Sequence, residues 1–108
     1  MNLLDFVDYL LDPVKLAGFY RQQGFGPEAV QEGLTIYMVG STITLAAAIR
    51  LLSFEETEGR IDIQLDGVAY VYVLEVDLAI DLLRASEPGV VIKLNQANRI
   101  VEYAIYDA

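Results

Sequence analysis

The chain of 108 residues contains no cysteine and no histidine. Without cysteine there is no disulfide, no thiolate nucleophile and no sulfur-ligated metal. Without histidine the commonest general base and the commonest metal ligand are both gone. Basic residues are also scarce: 7 Lys and Arg stand against 16 Asp and Glu, a net charge of −9. The basic residues (Lys15, Arg21, Arg50, Arg60, Arg84, Lys93 and Arg99) are scattered singly. Neutralising phosphates takes clusters of Lys and Arg, so no nucleic-acid partner is expected. The first twelve residues, MNLLDFVDYLLD, hold three Asp and no basic residue. They are not expected to act as a secretory signal, and a cytoplasmic, bacterial setting is expected.

What the chain has in excess is apolar surface. Apolar residues make up 55% of it, against roughly 45–50% in ordinary domains. The length fits one domain, residues 1–108, and a domain this small has much surface for its volume. Such an excess leans toward self-association, while the negative charge keeps a greasy small protein dispersed. The excess is concentrated between Leu34 and Phe54, where Arg50 is the single charge.

Three architectures compete for that stretch. A long helix over about 27–54 would be apolar all round and therefore buried all round. Gly40, Thr44 and Ala48, spaced by four, would let another helix approach closely, and Tyr37 would join that contact. Against it stand the β-branched residues Thr35, Ile36, Val39, Thr42, Ile43 and Thr44, and two glycines, Gly33 and Gly40, that weaken helices. The rival is a hairpin of strands 34–39 and 42–46 turning at Gly40-Ser41. A membrane span is long enough on paper, but Glu28, Glu32, Glu55, Glu56 and Glu58 flank the stretch and basic anchors are missing apart from Arg60. The long helix is the preferred expectation.

On either side the patterns are plainer. Leu3, Leu4, Phe6, Val7, Leu10 and Leu11 recur at helical spacing, and Asp12-Pro13 caps a second helix to about Gln23. That helix is expected to bury Val14, Leu16, Ala17 and Tyr20. Pro27 starts a third. Ile61, Ile63 and Leu65 alternate with Asp62, Gln64 and Asp66, and Asp66-Gly67 is a hairpin turn. The turn pairs Leu65 with Val68, Ile63 with Tyr70 and Ile61 with Tyr72. Asp77 is expected to cap a helix to about Ala85, burying Leu78, Ala79, Leu82 and Leu83, with Glu87-Pro88-Gly89 ending it. Segments 90–94 and 99–106 are expected to form a second hairpin around Gln96-Ala97-Asn98. The fold class expected is therefore α+β: N-terminal helices, one long and buried, packed on a four-stranded ββαββ sheet.

No motif for catalysis stands out. Ser41, Ser53 and Ser86 lack a histidine partner, and Gly24-Phe25-Gly26 reads as a turn. Glu55, Glu56 and Glu58 with Asp62 and Asp66 form the densest acidic patch. It lacks the alternating ligand pattern of a calcium loop, and Asp62 and Asp66 lie roughly 13 Å apart along a strand. Neither cofactor nor metal is expected. Seven tyrosines against four phenylalanines bias the chain toward protein contacts, and Tyr70, Tyr72, Tyr103 and Tyr106 are the strand residues best suited to one. Three function classes follow. The first is a non-enzymatic interaction module acting as a homodimer through the long helix and the tyrosine face. The second is an acidic inhibitor, immunity-type protein or phosphate mimic that blocks a basic partner. The third is a small-ligand binder or carboxylate-dependent enzyme, which would require a desolvated Asp or Glu.

Overall fold

The computed structural model describes residues 1–85 and 93–106. Helix α1 spans Leu3–Leu10 and buries Leu3, Phe6, Val7 and Leu10, the stripe its spacing predicts. The Asn2 side chain opens it by accepting the Asp5 N–H at 2.9 Å. Asp12 caps α2 (Pro13–Gln22) as expected, its carboxylate accepting the N–H groups of Val14 and Lys15. Of the residues α2 was expected to bury, Leu16 alone is fully buried. Val14 lies about 200° around the helix from it and is 81% exposed, Ala17 is exposed and Tyr20 is half-buried. Helix α3 (Pro27–Glu32) starts at Pro27 and stops at Gly33, whose φ of +99° breaks the helical path.

The long helix does not form. Its place is taken by two antiparallel strands, β1 (Leu34–Val39) and β2 (Ile49–Ser53). The rival hairpin names β1 correctly but misplaces the second strand, because residues 40–48 form an irregular connection. The two glycines decide the matter: Gly33 and Gly40 both take positive φ, +99° and +109°, where a continuous helix cannot pass. The connection still reads as apolar because Ile43, Leu45 and Ala47 fold back on the core as half-buried residues. Both faces of β1 are covered within one protomer, and Leu34, Ile36, Tyr37 and Met38 are buried. The burial of β1 therefore needs no second copy, while Phe54 at the end of the stretch stays exposed. No helix among the described residues is long and apolar enough to cross a membrane.

A short helix α4 (Phe54–Thr57) follows, then β3 (Asp62–Leu65) and β4 (Val68–Glu75). The Asp66-Gly67 turn is as expected, with φ of 53° and 79° and with Leu65 opposite Val68 and Ile63 opposite Tyr70. The sheet is antiparallel in the order β2-β1-β4-β3. Between β1 and β4 the register slips at Ile36/Tyr37, so that Val73 and Leu74 both enter the helix-side core while Tyr72 faces Tyr37 on the other side. Ile49 N–H donates to the Met1 carbonyl and Asn2 bridges Ala48, so the chain's start lines β2.

Helix α5 (Val76–Arg84) begins one residue before its expected cap, with Glu75 at that position, and buries Val76, Ala79 and Leu83. Leu78 is exposed and Leu82 half-buried. Residues 86–92, with Glu87-Pro88-Gly89 and the start of the expected third strand, lie outside the described residues. The expected second hairpin is replaced by one helix, α6 (Lys93–Tyr106). Gln96, Ala97 and Ile100 are buried and Val101 and Ala104 half-buried. That stripe has helical spacing, and Gln96-Ala97-Asn98 is its first inward turn instead of a loop. The fold is thus α+β, with N-terminal helices and C-terminal helices packed on one face of a four-stranded antiparallel sheet. Lys93 Nζ meets Asp8 Oδ2 at 2.9 Å, joining α6 to α1.

Candidate functional site

Helices α1, α5 and α6 pack on one face of the sheet, and the other is covered, among the described residues, chiefly by the chain between β2 and β3. β2 lies at one edge and β3 at the other, so the connection 54–61 has to cross about 14 Å of sheet. It crosses on the face opposite the helices. We call it the strap. It lies on a second cluster built from Tyr37, Leu52 and Tyr70, with Ile63, Leu65 and Tyr72 half-buried around them. Tyr37 and Tyr72 meet edge to face, ring centroids 5.8 Å apart. The Tyr37 hydroxyl donates to the Arg60 carbonyl at 2.5 Å and fastens the strap to the sheet. Thr57, on the strap itself, is buried against the sheet.

Each bend of the strap has a local cause. Glu56 Oε1 accepts both the N–H and the hydroxyl of Ser53, at 3.1 Å each, which starts α4. Glu58 takes a left-handed φ of 55° and Gly59 one of 77°, ending the helix after one turn. Thr57 Oγ accepts the Gly59 N–H at 3.2 Å. Arg60 pairs with Glu58 at 3.2 Å with both side chains exposed, a contact of little energetic weight.

The strap divides the tyrosine face into two clefts. The upper one, about 330 Å³, has Tyr70, Ile63 and Leu65 along its floor and Glu56, Glu58 and Asp62 at its walls. Arg50 donates to the Tyr70 hydroxyl at 3.0 Å and lies over its ring, 5.5 Å from the centroid. The hydrogen bond to Tyr70, with help from the charges of Glu56 and Asp66, raises the Arg50 pKa. The lower cleft, about 400 Å³, is more apolar: Tyr37, Tyr72, Phe54 and Ile61 line it with Thr35 and Glu75. Burial, followed by the nearby Glu75 carboxylate and Tyr37, pushes the Tyr72 phenol up from its ordinary value.

The residues singled out in the sequence fall into two groups here. Tyr37, Tyr70 and Tyr72 do come together, and the acidic run Glu55, Glu56 and Glu58 lies on the strap above them, with Asp62 entering β3 and Asp66 in the turn. Tyr103 and Tyr106 are not strand residues. Both are on α6, where Tyr103 packs half-buried against the helix-side core and Tyr106 is 80% exposed. Gly40, Thr44 and Ala48 form no stripe, since no helix carries them. The Gly40 N–H donates to the Ala69 carbonyl, Thr44 Oγ accepts the Ala47 N–H, and Ala48 pairs with Asn2.

Phe54, Thr57, Arg60 and Ile61 belong to the site and went unremarked as site residues in the sequence. The available signal was Ser53-Phe54-Glu55-Glu56, a helix-start pattern that splits the apolar stretch at Phe54. Every Asp and Glu among the described residues is exposed, so none has the desolvation a carboxylate general base needs. No group of His, Cys, Asp or Glu among the described residues could hold a metal ion. Comparison of this chain with protein-family models, curated proteins and solved structures gives no match.

Proposed function

We propose that this chain is a small, cytosolic, non-enzymatic interaction module, and that its working surface is the strapped tyrosine face. The partner is a basic protein. One observation carries this reading: the strap presents two exposed apolar side chains, Phe54 and Ile61, beside the exposed carboxylates of Glu56, Glu58 and Asp62. Tyrosine supplies contact area with a polar tip, and a carboxylate rim steers a cationic partner and fixes its register. A protein with a net charge of −9 attracts such a partner at long range and repels a second copy of itself.

The test is capture from the source organism at low salt, followed by reconstitution with the purified partner. The partner should be basic, and its affinity should fall steeply with added salt. Glu55→Lys with Glu58→Lys should abolish binding without unfolding the chain, since both side chains are exposed. A partner that is acidic, or binding indifferent to salt, overturns the reading.

A homodimer through the same face is the second reading. It is favoured by Phe54 and Ile61, which are 62% and 66% exposed on the strap. Light scattering at twice the 12.0 kDa chain mass would select it.

A further inference from the structure

We infer that the lower cleft is the docking site for one short partner segment, an apolar side chain immediately beside an Arg or Lys. The inference rests on the interaction-module reading and adds where contact is made and what is recognised. Phe54 and Ile61 stand at the two ends of the strap and are the most exposed large apolar side chains on this face. Both line a cleft of about 400 Å³, together with half-buried Tyr72 and the buried Tyr37 behind it. An aliphatic or aromatic side chain entering it would cover Phe54, Ile61 and the open part of Tyr72. Ile43, Val71 and Ala104 also line this space and pack with the helix-side core, so further apolar contacts are open to the inserted side chain.

Charge selects what stands beside that side chain. The cleft shares Thr35, Phe54 and Glu75 with a second hollow of about 410 Å³ that also holds Glu32 and Asp77. Among the described residues no Lys or Arg lines either one. An apolar side chain seated under Phe54 therefore places its sequence neighbour over Glu75, with Glu32 and Asp77 just beyond. A neutral neighbour leaves those carboxylates unpaired, an acidic one is repelled, and Arg can bridge two of them. A second copy of this chain would bring nine net negative charges to the same place, which disfavours self-docking here.

The probe is a random peptide display library panned on the full chain, with the selected consensus synthesised and titrated by fluorescence anisotropy. Selected peptides should carry Leu, Ile, Met or Phe next to Arg or Lys. Phe54→Ala should weaken the consensus peptide at least tenfold. Glu75→Lys should do the same and flatten its salt dependence. Leu65→Ala, in the upper cleft, should leave it unchanged. Both Phe54 and Glu75 are exposed, and a thermal melt confirms that each variant stays folded. Failure of any peptide to enrich, a consensus without a basic residue, or equal loss with Leu65→Ala each overturns the inference. A basic protein that binds through the upper cleft would overturn it too, while leaving the interaction-module reading intact.

Discussion

Tyr37 holds the strap to the sheet through one hydroxyl, and removing that hydroxyl isolates the contact. In Tyr37→Phe the ring keeps its place between Leu52, Tyr70 and Tyr72, and the bond to the Arg60 carbonyl is lost. A hydrogen bond of this kind contributes about 0.5–1.5 kcal/mol. The cost belongs toward the lower end of that range, because Arg60 is exposed and water can serve its carbonyl instead. Tyr37→Ala removes the fully buried ring as well and should cost about 3–5 kcal/mol. Urea unfolding reads both. At a slope near 1.5 kcal/mol per molar, the Phe variant should lose about 0.3–0.6 M in midpoint at unchanged slope. Amide exchange adds a local readout: the N–H groups of residues 58–61 should exchange faster by more than the global loss explains, since the strap opens before the sheet does. If the Phe variant matches the parent in midpoint and in strap exchange, the hydroxyl does not fasten the strap, and the division of this face into two clefts loses its support.

Three further outcomes are expected. Gly59→Ala should destabilise by about 1–2 kcal/mol, because Gly59 has φ +77° and its new Cβ would lie 3.3 Å from the Phe54 ring; a thermal melt measures this, and the Phe54 ring should shift in the folded variant. Leu16→Ala should cost about 2–5 kcal/mol while Val14→Ser stays within about 0.5 kcal/mol; the reverse order in urea would mean that α2 is turned the other way. Burial, with the Asp77 carboxylate second, pushes the Tyr20 phenol up to about 12. Because the folded value is the raised one, its contribution is full below about pH 10 and is lost as pH rises toward 12. Unfolding followed across that range should show a slope that Tyr20→Phe reduces.

How well the sequence disclosed this structure depended on how local each signal is. Asp12-Pro13 and Asp66-Gly67 act over three or four residues, and both turns form as read. The α1 stripe was equally plain, since one face meets the core and the other meets water. β1 failed as a pattern because it is buried on both faces, which erases the alternation that identifies a strand. The half-buried connection 40–48 then prolonged the apolar run to a length that suggested a helix. In α6 the polar trio Gln96-Ala97-Asn98 resembled a turn and hid the spacing of Ala97, Ile100, Val101 and Ala104. The tyrosine face could be assembled in part, because Tyr70 and Tyr72 follow from the hairpin register. The strap could not. It lies over that face only because β2 and β3 occupy opposite edges, and strand order is set by contacts far apart in the chain.

The claim everything else depends on is that the strap and the tyrosines beneath it form the binding surface. Titrating isotope-labelled protein with the purified basic partner and following backbone amide shifts tests it most directly. The largest changes should fall on Thr35, residues 54–61, Tyr72 and Glu75, and should shrink as salt is added. Changes concentrated instead on the exposed side of α2 or α6, with the strap unmoved, would contradict the account.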